Sequence, residues 1–465
     1  MKIKYELIAT AAVLTILLMT SCNKFLDVKP KGKQLLVTVS DYNLWLNSPN
    51  LTYENDAYNT YFFSDLVDRY PFTLTSTAVA DLEYQWAPQF NDKVTTPAVW
   101  SGIYANIYYY NVVINGIDKA TDGSQSQKNA LKGEALLGRA LEYFYLGNLY
   151  GKVYNPATAN QDLAVPFVTS SDIVDKTPPR STEKELYSSI IADLNQAIAY
   201  LPPDNASNRY RGSVSAAYSV LARIYFYMAD YSNAQKYALL ALAAPSVTML
   251  DYNTGVTSPT AYPKWPLLST RKDAIYARGA ADRSYAAYTR ITLAFANSFA
   301  PGDLRGYFIK DYGLPTLSSN PARGSVMYCF SIDNAGNCNI GTSAAEMKLI
   351  IAEAAARSGD LTTALNQLDD VRKNRFTPAQ YAKFQSNDQA AVLQKILDER
   401  VFELPFAGLR WFDMRRLNAE GKMPVVYRYD NTGAVFATLK KNDPRYVLQI
   451  PLNVLSFNPD MPQNP

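Results

Sequence analysis

Two stretches, LARIYFYMADYSNAQKYALLAL (Leu221–Leu242) and IAEAAARSGDLTTALNQLDDVR (Ile351–Arg372), overlay one another at a constant spacing of 130 residues. Ala222 then falls on Ala352, Asp230 on Asp360 and Ala234 on Ala364. Each stretch carries apolar residues at three- and four-residue steps, a short break with an aspartate, and a second helical run. The aligned alanines predict two helices packed closely, because a small side chain on each lets the backbones approach. The aspartate at the break predicts a cap on the second helix.

This arrangement resembles the tetratricopeptide pattern, A-x-x-Y followed by G-D-Y-x-x-A. Such repeats bury their faces only by stacking, so further helices must flank the two clear copies. NALKGEALLGRALEYFYLGNLYG (Asn129–Gly151) supplies one, with Leu131, Ala135, Leu136, Tyr143, Leu146 and Leu149 along its apolar side and Gly151 as terminator. STEKELYSSIIADLNQAIAYLPP (Ser181–Pro203) supplies another, opened by Ser181 or Thr182, with acids in its first turn, and closed by Pro202-Pro203. Between the helical blocks lie long polar, proline- and tyrosine-rich stretches, roughly residues 50–100 and 245–340. Loops of that length are usually functional, and a site is expected there.

The chain opens with Lys2 and Lys4, runs almost wholly apolar from Leu7 to Met19, and turns polar at Thr20-Ser21. That is the order of a secretory signal, and the run falls short of the roughly 20 apolar residues a membrane span requires. Met19-Thr20-Ser21-Cys22 resembles a bacterial lipobox, so residues 1–21 are expected to be removed and Cys22 to carry lipid. A multiply acylated cysteine holds where one chain would bind only marginally. With Cys22 used, Cys329 and Cys338 remain. In an exported chain they form a disulfide or stay as two free thiols.

Composition excludes several functions. The formal charge is +3 from 45 basic and 42 acidic residues, with no basic cluster, so no nucleic-acid surface is expected. The chain contains no histidine, which removes Ser-His-Asp and Cys-His catalysis and His-ligated zinc. An enzyme would be left mainly with paired carboxylates or a Ser-Lys arrangement. Among 59 aromatic residues, 35 are tyrosine, 19 phenylalanine and 5 tryptophan; tyrosine suits half-wet surfaces and helix packing alike.

Taken in order, CNKFLDVKPKG (22–32), VWSGIYANIYYYNVVINGID (99–118), the helices above, APGDLRGYF (300–308), ILDERVFELPFAGLRWFDMRRLN (396–418) and the ending IPLNVLSFNPDMPQNP (450–465) resemble the SusD/RagB family of outer-membrane nutrient-binding lipoproteins nearly end to end. Ala407 stands where the family usually has Glu, and TSAAEMKLIIAEA (342–354) lacks an Arg often found before that helix. The resemblance implies an all-α protein: tetratricopeptide-like helix pairs forming a superhelical scaffold, with a loop-rich capping subdomain that holds the ligand. It divides the chain into a signal peptide (1–21), an N-terminal region (22–245) and a C-terminal region (246–465) carrying the helix pair at 343–375. It also implies a cell-surface, lipid-anchored protein of the outer membrane that binds an oligosaccharide, or in some members a peptide, as the lid of a SusC-like TonB-dependent transporter. No catalysis and no cofactor are implied. The rival from another class is a secreted carboxylate-pair glycosidase.

A sugar ring offers an apolar face and a rim of hydroxyls, so its binder needs a flat aromatic beside planar hydrogen-bonding groups. DLVDRYPF (Asp65–Phe72) and DLEYQWAPQF (Asp81–Phe90) meet that need with Trp86 as platform and Asp68, Arg69 and Tyr70 as hydroxyl partners. Trp86 could equally be packed inside, and the polar trio could be a solvated loop. Trp265, Tyr285 and Tyr288 could form a second aromatic wall or cover the scaffold. The charges of DERVFELPFAGLRWFDMRRL, from Asp398 and Glu399 to Asp413 and Arg416, look like an active site but read as a network joining the C-terminal helices. Asp333–Asn339 (DNAGNCN) lacks the alternating acids and closing Glu of a calcium loop and reads as a turn, and no metal site is expected.

Overall fold

A computed structural model describes residues 36–54, 60–69, 74–90, 92–256, 264–281, 290–310, 325–329 and 337–465. Its long helices are α1 (Val39–Leu46), α2 (Ala98–Gly116), α3 (Gln125–Tyr150), α4 (Glu183–Tyr200), α5 (Val214–Tyr227), α6 (Tyr231–Leu242), α7 (Ala344–Ser358), α8 (Leu361–Arg372), α9 (Gln389–Glu403) and α10 (Arg410–Ala419). Strands are short and pair in small sheets of two to four strands. The protein is all-α, as the family resemblance implies. Among the described residues no helix is long and apolar enough to cross a membrane.

The two aligned stretches are the helix pairs α5/α6 and α7/α8, and they fold alike in detail. Asp230 and Asp360 each cap the second helix, accepting from the amides of Asn233 at 3.1 Å and Thr363 at 3.0 Å. Ala222, Ala352, Ala234 and Ala364 are all fully buried. The turns differ in one respect: the second uses Gly359 at φ 88°, whereas the first puts Ala229 at φ 59°, where a Cβ is crowded. Helix α7 packs against α6 as well as α8, so the pairs stack as repeats must. Between them Arg223 of α5 meets Glu346 of α7 through two contacts of 2.7 and 2.6 Å, with both side chains at most 1% exposed.

Helix α3 runs through the centre and is buried from Gly133 to its end. It begins four residues earlier than its apolar pattern suggests, because Ser124 and Gln127 form a capping box. Gly151 ends it, in extended rather than left-handed backbone; here the glycine is demanded by space, since a Cβ would run into the Glu183 carboxylate. Thr182 is the cap of α4, in a capping box with Glu185. Trp100 packs edge-on against Tyr150, their centroids 4.8 Å apart.

The charged C-terminal segment is a paired network, and most of its partners lie outside the segment. Glu399 contacts Arg305 at 2.7 Å, Glu403 contacts Arg375 at 2.6 Å, Arg410 contacts Asp65 at 2.6 Å and Arg416 contacts Glu353 at 2.6 Å. Burial pushes the Asp413 carboxyl up, but Arg400 and Arg416 outweigh it and hold the group down at about 2. These contacts tie α9 and α10 to the repeats and to the loops before α2. Asn337–Asn339, read above as the end of a turn, is instead a strand paired antiparallel with Gly279–Ala281. Residues 1–35, which include Cys22, lie outside the described residues, as do the side chains of Cys329 and Cys338.

Candidate functional site

The loop-rich end holds a cleft of about 320 Å³ whose lining includes Asp65, Asp68, Tyr84, Thr292, Tyr427 and Tyr429. One wall is the two-residue strand Val67–Asp68, paired antiparallel with Arg290–Thr292. The other is the hairpin strand Val426–Tyr429, paired with Val435–Leu439. Side chains alternate along a strand, and the burial along Val426–Tyr429 follows that period: buried, exposed, buried, exposed. Tyr427 and Tyr429 therefore share the outer face, 47% and 41% exposed, as two flat rings with hydroxyl tips.

Arg428, between them, points inward and organises the opposite wall. It is 1% exposed and donates to the carbonyls of Phe62 at 2.7 Å, Ser64 at 2.8 Å, Tyr84 at 2.8 Å and Val67 at 3.3 Å. Its guanidinium lies 4.3 Å from the centre of the Tyr84 ring and 4.1 Å from that of Trp86. Charge-assisted donors suit such a cluster of carbonyls, and stacking on two rings adds cation–π attraction. The carboxylates at the cleft are held as well. Arg410 donates to both oxygens of Asp65 at 2.7 and 2.6 Å, and the Tyr84 hydroxyl donates to Asp68 at 2.9 Å. Asp68 also accepts from the Arg69 amide at 2.8 Å, while the Asp65 carboxylate keeps acceptor sites beyond its contacts with Arg410. The cleft thus sets two half-exposed tyrosines beside two oriented carboxylates, a combination suited to a polyhydroxylated ligand.

The structure distributes the expected site residues unevenly. Asp68 lines the cleft. Arg69 forms an ion pair with Asp81 and lies over the Phe62 ring at 5.2 Å, which fixes the loop beside the cleft. Trp86 is corrected from platform to core: it is 2% exposed, its indole N–H donates to the Phe63 carbonyl at 2.9 Å, and Arg428 covers its ring. Its φ of 54° is rare for a bulky residue and is held by this packing. Trp265 is likewise interior, 7% exposed and 5.1 Å from the Tyr252 ring centre, in a separate apolar cluster. Tyr70, Tyr285 and Tyr288 lie outside the described residues. The residues that sequence reasoning missed are Tyr427, Arg428 and Tyr429. Their signal was present in VVYRYD followed by NTG, a period-two run entering a turn.

Comparison with known proteins agrees with this architecture. Residues 24–226 match the SusD-like family described as "Starch-binding associating with outer membrane", and residues 344–465 match the SusD family. A SusD-like protein of Bacteroides ovatus is 29% identical over 244 residues, 50% of this chain and 41% of the relative. SusD-like protein P2 of Formosa agariphila is 31% identical over 148 residues, 32% of this chain and 27% of the relative. The chain thus covers less than half the length of these two relatives. Among solved structures, a SusD superfamily protein of Bacteroides thetaiotaomicron superposes with a TM-score of 0.75 at 21% identity, covering 92% of this chain and 100% of that one. A putative sugar binding protein of Bacteroides vulgatus superposes with a TM-score of 0.73 at 23% identity, covering 93% and 99%. These structures share the fold, and with both ends of the sequence matched, the chain belongs to the SusD/RagB family.

Proposed function

We propose that the protein is a cell-surface lipoprotein of the outer membrane that captures oligosaccharides in the Tyr427/Tyr429 cleft and delivers them to a SusC-like TonB-dependent transporter as its lid. The observation that carries the reading is the pairing of two half-exposed tyrosine rings with the fixed carboxylate of Asp65 in one cleft. Rings can cover the apolar face of a sugar while carboxylates accept from its hydroxyls. Support from the family is of the same kind. One matching family description names starch binding and the outer membrane, and solved relatives of the same fold are named a putative sugar binding protein and a SusD-like carbohydrate binding protein. In this reading Cys22 carries the lipid anchor, the cell-surface position follows from the family resemblance, selection is by binding and passage belongs to the partner. No catalytic role is proposed: Glu399, Glu403, Arg416, Arg400 and Asp413, which look like an active site, are held in ion pairs with Arg305, Arg375, Glu353 and one another.

Calorimetric titration of the soluble form starting at Asn23, against a panel of oligosaccharides and peptides, tests the ligand class. Saturable heat with at least one oligosaccharide and none with peptides is expected. Binding of peptides alone would replace the sugar-binding reading with the peptide-binding one. Release of reducing ends from a bound oligosaccharide would revive the glycosidase.

A further inference from the structure

A second cleft, sharing no lining residue with the first, lies between α2 and the segment Phe167–Pro178. Its volume is about 490 Å³, within the range of small-ligand sites. We propose that it is a second saccharide-binding site; the inference rests on the sugar-binding reading above and extends it to a surface that reading does not use.

The cleft is built in advance of any ligand. The Asn111 amide donates to the carbonyls of Val168 at 2.9 Å and Ser170 at 3.1 Å, and the Asn115 amide donates to that of Thr169 at 2.9 Å. Tyr143 closes the same stretch from below: its hydroxyl accepts from the Val168 amide at 2.6 Å and donates to the Val168 carbonyl at 3.0 Å. Asn111 is itself oriented by Arg139, which donates to its amide oxygen at 2.8 Å while gripping both oxygens of Asp193 at 2.8 Å. Phe167 forms the floor, its ring 4.4 Å from that of Tyr143 with Arg139 over it at 5.5 Å. A segment fixed by buried partners loses little further freedom on binding, which favours affinity.

What is left over on the cleft wall suits hydroxyls. Tyr108, 37% exposed, presents a ring and a hydroxyl. Asp172 and Asp175 each use one carboxylate oxygen within the segment, toward the Val174 amide and the Ser170 hydroxyl, and their other oxygens remain as acceptors. Lys176 lines the cleft as a donor and has no hydrogen bond to another described residue. A vicinal diol needs acceptors and donors close together beside a flat apolar surface, and this wall offers all three. Ile173, 85% exposed, adds an apolar edge. Two such sites on one chain would let a long saccharide engage both, and linked engagement can raise avidity by 10²–10⁴ where the ligand spans them.

The test uses the soluble form starting at Asn23, titrated with maltoheptaose, cellohexaose, xylohexaose and mannohexaose, as wild type, as Y427A/Y429A and as Y108A/K176A. All four substituted positions are at the surface, and circular dichroism checks the fold. Two sites are expected in the wild type for one of these saccharides. Y427A/Y429A should retain the weaker site, and adding Y108A/K176A should weaken that residual binding at least tenfold. A single wild-type site abolished by Y427A/Y429A would overturn this inference and leave the first cleft standing. A single site abolished by Y108A/K176A instead would support this cleft and overturn the first. Residual binding unchanged within twofold by Y108A/K176A would also overturn it. Absence of any wild-type binding would overturn the sugar-binding reading, and this inference with it.

Discussion

Replacing Arg428 with methionine should open the candidate cleft while leaving the helical scaffold intact. Methionine keeps much of the apolar bulk but removes the donors to four carbonyls, those of Phe62, Ser64, Val67 and Tyr84. Hydrogen bonds from a charged group contribute about 1.5–3 kcal/mol each, and desolvated cation–π contacts about 2 kcal/mol. Against that stands the several kcal/mol that burying a guanidinium costs, which the variant no longer bears. The net loss expected is about 3–5 kcal/mol, in the upper tail for single substitutions. The cost should be local, because Arg428 joins the hairpin to residues 62–86 through these carbonyls and the Tyr84 and Trp86 rings. Native-state hydrogen exchange reads such local opening directly. The amides of Ser64, Trp86 and Thr292, bonded to Tyr61, Glu83 and Leu66, should exchange roughly 10²- to 4 × 10³-fold faster at about 1.4 kcal/mol per decade. Amides inside α5 and α7 should change little. Acceleration below threefold at the first group, or equal acceleration in both, would refute the claim that Arg428 is the clamp of this wall.

Four further outcomes follow from the same contacts. Gly359→Ala should destabilise by about 1 kcal/mol, because φ 88° is held there with nothing near enough to clash and the cost is purely conformational; Ala229→Gly at the matching turn should be neutral or stabilising, as urea midpoints would report. Arg223→Met strands Glu346, which is 1% exposed, and should cost about 3–5 kcal/mol in the same assay. Burial pushes the Glu183 carboxyl up to about 8 against the opposing pull of Arg415, so the folded state keeps a proton that the unfolded chain loses near 4.5. The stability tied to that proton is complete below about pH 4.5 and lost as pH rises toward 8, by an amount on the order of several kcal/mol. Glu183→Gln should therefore flatten the fall in stability between pH 5 and 8, and an unchanged slope would count against this assignment.

The helical scaffold was legible because its signals are local. The alanines of the two stretches, the aspartate caps at 230 and 360, and the capping pair Thr182/Glu185 each act within a few residues of where they stand. The two helix pairs follow from such patterns, and the all-α fold class followed from the family resemblance that they helped to carry. The site was less legible because it is assembled from distant segments. Asp68 could be picked out beside Trp86 in sequence, yet the two have different fates: the carboxylate reaches the cleft while the indole is covered by a residue more than 300 positions away, Arg428. Nothing local to Trp86 announces that cover, and a tryptophan in a polar loop invites the opposite reading. Tyr427 and Tyr429 stand outside the two long loops where a site was expected, in a strand whose alternation was the available clue. The charged C-terminal segment shows the converse: its network could be anticipated as paired, but the partners Asp65, Arg305, Glu353 and Arg375 required the fold.

The central claim, that the Tyr427/Tyr429 cleft is where a saccharide is held, is tested most directly by comparing wild type with Y427A/Y429A against the tightest-binding oligosaccharide by calorimetry. Two exposed rings lost from one wall should remove about 2–3 kcal/mol, a weakening of roughly 30- to 150-fold at the site they line. Affinity and stoichiometry both unchanged within twofold would contradict the account.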